Sequence, residues 1–431
     1  MKKLISAVLV LVMLAAAFSL NGAGITAFAA EDYKTADING DGTINAGDAL
    51  LALKSAVGQT ELTDAQLTAA DVNGDGTVNS SDALFILQIS VGIKKESDLI
   101  KIEIDYSSYP TLDPKWIDTV VGNYKEFISE VSADSSKIPI IVSSDQHGTV
   151  TEDCEVFKLI NDIADWNRIS KIINLGDTVQ LTYSKKELKA YNTAMKYIPE
   201  EKRLELFGNH DGHISALRRD MGKYFIAPAA VTSKKKDAFA VKDEAFNVRY
   251  LAVDPMGYPW TYTSGKINTS QADFIVSELE KNDKCDIVIL AHPYLFRDAI
   301  IKRDGTTFTG SDYFIGNANK DADVKQSFLD MLKARKDKTA GVFTDSDGKK
   351  HPYDFSGCRG DLLMTLHGHH HTEGYETCSG ITEFLFQSFR YNGSEQNEPN
   401  CFYFAYIDSE AKKFKCWKNI EGYSAWEIDI A

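Results

Sequence analysis

A chain of 431 residues, 43% hydrophobic and 25% charged, has the composition of a folded globular protein and is longer than one hydrophobic core usually organises. Its formal net charge of -15 excludes a broad, nonspecific grip on nucleic acid or on an anionic membrane. Six cysteines permit disulfides without specifying a pairing, and their spacing does not resemble a dense disulfide scaffold.

The first predicted element, residues 1–30, has Lys2 and Lys3, an apolar run from Leu4 to Leu20, and a small-residue end at Ala27, Ala29 and Ala30. A positive start, an apolar middle and an Ala-x-Ala end make a secretory signal peptide, and Asn21, Gly22 and Gly24 interrupt any membrane span. The mature chain is therefore expected to be exported. No later stretch has the roughly 18 apolar residues that a membrane-spanning helix requires.

Residues 31–97 contain an internal repeat, with segment 37–58 restarting as segment 71–92. Each copy carries oxygen-bearing side chains at alternate positions: Asp37, Asn39, Asp41 and later Asp48, then Asp71, Asn73, Asp75 and later Asp82. Ca²⁺ takes six to eight hard oxygens, alternate residues of a tight loop point inward, and glycine at the sixth place allows the turn. Gly42 and Gly76 stand at that place, and Thr43 and Thr77 follow where a backbone carbonyl normally ligates. Position twelve holds Asp where an EF-hand has Glu. No helix-forming stretch precedes either loop. Each unit thus reads as a loop followed by one helix, with apolar stripes Leu50, Leu53, Val57 and Leu84, Leu87, Val91.

Two such units resemble the type I dockerin module. The resemblance implies a small all-α domain that binds two Ca²⁺ and docks to a cohesin domain of a scaffold protein. Ser80 and Ser81, with Phe85, Ile86 and Ile89, make the second repeat the preferred docking face over Ala46 and Gly47. The competing reading is a structural calcium domain with no partner.

Residues 98–137 read as a connecting segment with a packing helix, since Trp116, Ile117, Val120, Val121, Tyr124, Phe127, Ile128 and Val131 recur at helical spacing. Beyond it, in residues 138–431, short apolar runs alternate with amphipathic stretches, the signature of an α/β domain. Five runs, at 138–142, 171–175, 203–207, 287–290 and 362–366, each lead into metal-binding residue types. Asp145 and His147 follow the first, Asp177 the second, Asn209, His210 and Asp211 the third, His292 the fourth, and His369, His370 and His371 the fifth. Singly these are turns or structural histidines. Together they place ligands outside the carboxyl ends of strands, where such sheets carry their sites.

This series of segments resembles the calcineurin-like metallophosphoesterases. The resemblance implies a four-layer α/β/β/α sandwich, with one metal held by Asp145, His147, Asp177 and His371. It implies a second metal held by Asp177, Asn209, His292 and His369, with Asp177 bridging and His370 as the spacer. Independently, mixed imidazole and carboxylate ligands suit Fe, Zn or Mn better than Mg²⁺ or Ca²⁺. The activity implied is hydrolysis of a phosphate mono- or diester by direct attack of a hydroxide held between two divalent transition metals. His210, alone or paired with Asp211, is placed to protonate the leaving oxygen. His367 is expected to face away from the site.

Arg297 and His213 are candidate substrate contacts, and the loop 254–262, with three aromatics, is a candidate substrate wall or a simple hydrophobic cover. The tail from Ile381 to Ile428 is expected to add strands to a second sheet. An alternative reading is a noncatalytic binding module with a structural metal site. A glycosidase would need two opposed carboxylates in place of a metal cluster. The ester itself stays open.

Overall fold

The computed structural model describes residues 33–73, 76–100, 102–131, 136–148, 151–179, 185–211, 230–232, 238–254, 266–294, 300–308, 322–389 and 400–431. The expected signal peptide, Asp75, His213, Arg297 and all but Asp254 of the aromatic loop lie outside these residues. The chain divides into two compact units, 1–103 and 104–431.

In the first unit, helices Ala46–Ala56 and Ser80–Ser90 start at matching capping boxes. Asn45 and Asn79 accept N–H groups of the first turn, while Asp48 and Asp82 reach back to the capping backbone. A further helix, Asp64–Ala70, precedes the second loop, contrary to the sequence expectation. Thr63 and Gln66 close a capping box of their own, and that local bond starts a helix too short for a strong apolar period. The apolar stripes are also corrected. Ala49 and Ala52 of one helix and Ala83, Ile86 and Leu87 of the other are buried with Ala36, Ile38 and Val72, whereas Val57, Leu84 and Val91 are exposed. Small alanines let the two helices approach, so the buried face sits about one residue round from the leucine stripe.

The second unit contains β1 (Lys137–Ser143), β2 (Lys171–Asn174), β3 (Arg203–Glu205), β4 (Val231–Thr232), β5 (Ala238–Asp243), β6 (Val248–Val253), β7 (Asp286–Ala291), β8 (Ile300–Ile301) and β9 (Thr307–Phe308). It continues with β10 (Ala340–Thr344), β11 (Lys350–Asp354), β12 (Leu362–His367), β13 (Gly374–Cys378), β14 (Ile381–Leu385), β15 (Tyr403–Asp408), β16 (Lys413–Lys418) and β17 (Trp426–Asp429). One sheet runs β17-β16-β15-β1-β2-β3, the other β4-β5-β6-β7-β12-β14-β13-β8-β9, and β10 and β11 form a hairpin. All five apolar runs read from the sequence are strands: three lie in the first sheet and two in the second.

Strand alternation sets the layers. Ile138, Ile140 and Val142 of β1, Tyr403, Ala405 and Ile407 of β15, and Val288 and Leu290 of β7 share the core between the sheets. Ile287 and Ile289 face the other way, onto Ile275, Leu279, Phe328 and Leu332 of helices Thr269–Leu279 and Ala322–Asp337. On the opposite side, helix Pro114–Ser129 packs Tyr124 and Phe127 on Phe404 of β15, with Phe127 also against Trp417 of β16. The unit is a four-layer α/β/β/α sandwich. The tail is divided between both sheets: β14 lies parallel to β12, while β15 pairs antiparallel with β1 and carries β16 and β17 outward. No disulfide joins any of the six cysteines, all of which are among the described residues.

Candidate metal centre

Parallel pairing brings the ends of β1 and β2 level, and the ladder continues past them. Asp145 N donates to Gly176 O at 2.9 Å, and His147 N donates to Asp177 O at 2.9 Å. On the other sheet, Gly368 N donates to His292 O at 3.0 Å and so aligns the ends of β7 and β12. Asp145, His147, Asp177, His369 and His371 all have positive φ, between 49° and 70°, which is uncommon for residues other than glycine. Such backbone persists only where the surroundings fix it, and its concentration here marks a functional turn region. Two glycines permit the close approach. A Cβ on Gly208 would collide with the Asp177 carboxylate and backbone, and one on Gly368 with the Ser144 hydroxyl.

Side chains from these strand ends converge. His292 is buried, and its Nδ1 donates to Leu175 O at 2.9 Å, which directs Nε2 into the cluster. Around that nitrogen lie Asn209 Oδ1 at 3.0 Å, His369 Nδ1 at 3.1 Å and Asp177 Oδ2 at 3.2 Å. His147 Nε2 is 2.8 Å from His371 Nε2, and Asp145 Oδ1 is 3.4 Å from His371 Nε2. Asp177 Oδ2 also stands 3.9 Å from His147 Nε2 and 4.0 Å from His210 Nε2. Three groups thus have ligand atoms close enough to share an ion: Asp145, His147 and His371; His147, Asp177 and His210; Asp177, His292 and His369.

Charge explains the ionisation of the cluster. Burial opposes a charge on His292, but Asp177 and Asp145 outweigh it and push the imidazole up to about 9. Burial also works against Asp177, which the His292 charge nevertheless holds down at about 2. Asp145 is likewise held below the usual carboxylate range. His369 falls to about 3, through burial and then the neighbouring His292 charge.

The residues present fit divalent transition ions. Asp145 Oδ1 is wholly buried and has no hydrogen-bond partner among the described residues, and a cation ligated there would offset the cost of burying the carboxylate. The mixed N and O donors suit Zn, Fe or Mn.

The His370 ring lies edge-on to Phe308 and Tyr294. His367 is buried behind the site, with Nδ1 2.9 Å from Pro293 O and Nε2 2.8 Å from Thr365 Oγ1. Asp211 does not extend toward solvent. Its two oxygens accept N–H groups from Val179 and Gly208 at 3.0 and 2.9 Å, and burial together with the Asp177 charge pushes it up to about 6.

Sequence reasoning missed the polar groups beneath the ligands. Asn174 Oδ1 accepts from Gly176 N, and its Nδ2 lies within 3.0 to 3.3 Å of Thr178 Oγ1, Tyr191 OH and Gln146 Oε1. Tyr191 donates to Glu205, which also takes two bonds from Arg203. Ser144 donates to Asp145 Oδ2, and Ser388 to the Asp145 carbonyl. The available signal was a lone polar residue inside an apolar run, as Asn174 and Glu205 are.

In the first unit, Asp37 Oδ1 accepts from Gly40 N and Asp41 N, while Asp48 gathers the N–H groups of Ile38, Asn39 and Asn45. Asn39, Asp41 and Thr43 complete that loop, and the Thr43 hydroxyl and amide hold Asp41 down at about 2. In the second loop Asp71 accepts from Gly76 N, and Asp82 from Asn73 N and Asn79 N, with Thr77 following Gly76. Gly42 and Gly76 take φ of 85° and 86°, as the turn demands.

The sandwich and its cluster define an α/β/β/α fold that gathers Asp, Asn and His side chains at its strand ends. Residues 35–88 match the family model "Dockerin type I domain", and this segment is a dockerin. No curated protein sequence matches the chain. Solved structures similar to it include purple acid phosphatase PPD1 from yellow lupin seeds, 12% identical, covering 69% of this chain and 54% of that one, with a TM-score of 0.40. An archaeal phosphodiesterase is 13% identical, with 65% and 99% covered and a TM-score of 0.28. Vps29 complexed with Zn from Entamoeba histolytica is 10% identical, with 68% and 100% covered and a TM-score of 0.29. No helix among the described residues is long and apolar enough to cross a membrane.

Proposed function

We propose that the chain is an exported, metal-dependent phosphoesterase that is attached to a scaffold through dockerin–cohesin binding. The observation that carries this reading is the convergence of Asp145, His147, Asp177, Asn209, His292, His369 and His371 from five strand ends, with Asp177 Oδ2 within 4 Å of histidines on both sides. Asp145, His147, Asp177 and His371 would hold one ion, and Asp177, Asn209, His292 and His369 the other. When bound, two divalent ions would supply Lewis acidity toward the phosphoryl oxygens and acidify a nucleophilic water.

The chain's own groups do the rest. The His292 ring is fixed by Leu175 O, so its ligating nitrogen is preset. His210 is partly exposed, at the rim beside Asp177, where an imidazolium can protonate the departing alkoxide. Asp211 ties the β2 and β3 ends together and thereby positions Asn209 and His210. The dockerin takes two Ca²⁺ through its oxygen ligands.

The test is phosphate release from a panel of mono- and diesters by the metal-loaded chain, with and without chelator, beside capture by an immobilised cohesin in Ca²⁺. Chelator-sensitive release is expected. Two bound ions with no release from any ester would favour a noncatalytic binding module.

A further inference from the structure

The chain holds Asp145 at every polar atom except Oδ1. Its amide donates to Gly176 O at 2.9 Å, and its carbonyl accepts the Ser388 hydroxyl at 2.7 Å. Its carboxylate Oδ2 accepts the Ser144 hydroxyl and the His369 amide, the latter at 2.8 Å. Oδ1 stands 3.4 Å from His371 Nε2, 3.9 Å from His292 Nε2 and 4.0 Å from His147 Nε2.

Ser388 reaches Asp145 from the other sheet. Beyond β14, Phe386 N donates to His367 O at 2.9 Å, at the end of the strand that leads to His369 and His371. Three residues on, Phe389 N donates to Ser144 O at 2.8 Å, at the end of β1. The segment 386–389 therefore ties the ligand-bearing ends of the two sheets together, with the Ser388 hydroxyl on Asp145.

Asp145 has φ of 54°, a backbone state that persists only where its surroundings fix it. The Gly176 bond fixes the peptide plane before Asp145, and the Ser388 bond fixes the plane after it. The two donors on Oδ2 then set the rotation of the carboxylate. Ser144 and Ser388 are both buried, and a buried hydroxyl is costly unless it is bonded. Alanine would serve if only packing were needed; here both hydroxyls are spent on one residue.

We propose that Ser144 and Ser388 are positioning residues that present Asp145 to a cation through Oδ1 alone, Ser144 by holding the second oxygen and Ser388 by holding the peptide plane. This rests on the metal-centre part of the phosphoesterase reading and adds the groups that preset one of its ligands.

The experiment titrates the chelated full chain with Zn²⁺ against a competing chelator, in wild type, Ser388→Ala, Ser144→Ala and the hydroxyl-preserving Ser388→Thr. A denaturant midpoint is taken for each metal-free chain. Wild type should show two binding steps, and one of them should weaken roughly 10- to 100-fold in both alanine variants and stay near wild type in Ser388→Thr. A purely structural hydroxyl would lower the metal-free midpoint and leave the Zn²⁺ affinity of the folded chain unchanged. That result in the alanine variants overturns the positioning role while the metal centre stands. If Ser388→Ala does not fold, Ser144→Ala decides, since it leaves the Ser388 side chain in place. A wild-type chain that binds no Zn²⁺ overturns the metal-centre reading and this proposal with it.

Discussion

Asp177 Oδ2 lies 3.2 Å from His292 Nε2, while the other oxygen of the same carboxylate accepts the His210 backbone N–H at 2.7 Å. The residue therefore joins the two histidine groups and also fixes the loop that carries Asn209 and His210. Asp177→Asn removes the negative charge between the two ion positions. Both ions should bind at least roughly 10- to 100-fold more weakly, read as less than two ions per chain after dialysis. A variant with two ions and near-normal turnover would contradict the shared-ligand assignment.

His210 separates proton donation from metal binding. His210→Ala should lower turnover by roughly 10²- to 10⁴-fold, with less loss for a nitrophenyl ester, whose leaving group needs little protonation. Its Nε2 is 4.0 Å from Asp177 Oδ2, so metal content decides its role. Two retained ions fit an acid, and a lost ion makes it a ligand.

The groups beneath the ligands carry a prediction of their own. Tyr191→Phe removes the hydroxyl between Asn174 and Glu205 and leaves buried polar atoms short of a partner. The cost is about 1–3 kcal/mol of stability, with metal affinity down roughly tenfold as the Gly176–Asp177 turn loosens. Denaturant midpoints and metal titration measure the two effects. Unchanged metal affinity would make the network purely structural.

How far the sequence could be read follows from the range of each interaction. The five ligand-bearing strands were legible because a buried parallel strand is a local apolar run that ends where its ligand begins. The placement of β15 against β1 was not, because it depends on pairing Ile140 with Ala405, far apart in the chain. Asn174 and Glu205 were passed over because the surrounding apolar residues dominate a periodicity reading. Asp211 looked like a catalytic partner by adjacency to His210, yet its carboxylate is committed to the Val179 and Gly208 amides. In the dockerin, cap residues and not apolar period decided where helix Asp64–Ala70 forms.

His367 gives a pH dependence. Burial holds its folded pKa at about 3, below the ordinary 6.5, so the unfolded chain binds one more proton between those values. Its contribution to stability is complete above about pH 6.5 and is lost as pH falls toward 3. Thermal midpoints should decline more steeply from pH 7 to pH 5 in the wild-type chain than in His367→Gln. Parallel slopes would show that His367 is charged in the fold.

The dockerin loops offer hard oxygens, so Ca²⁺ and not the catalytic ions should control that unit. Residues 31–97 expressed alone should gain helix on adding Ca²⁺, and Asp48→Ala should blunt the response. Circular dichroism that stays flat across a millimolar titration would count against calcium control.

The most direct test is metal content and phosphate release measured on one sample of the full chain, as the chelated protein is reloaded with Zn, Mn or Fe. The account predicts that two transition ions bind per chain and that hydrolysis appears only as the second site fills. Full occupancy by two ions with no release from any phosphate ester would contradict it.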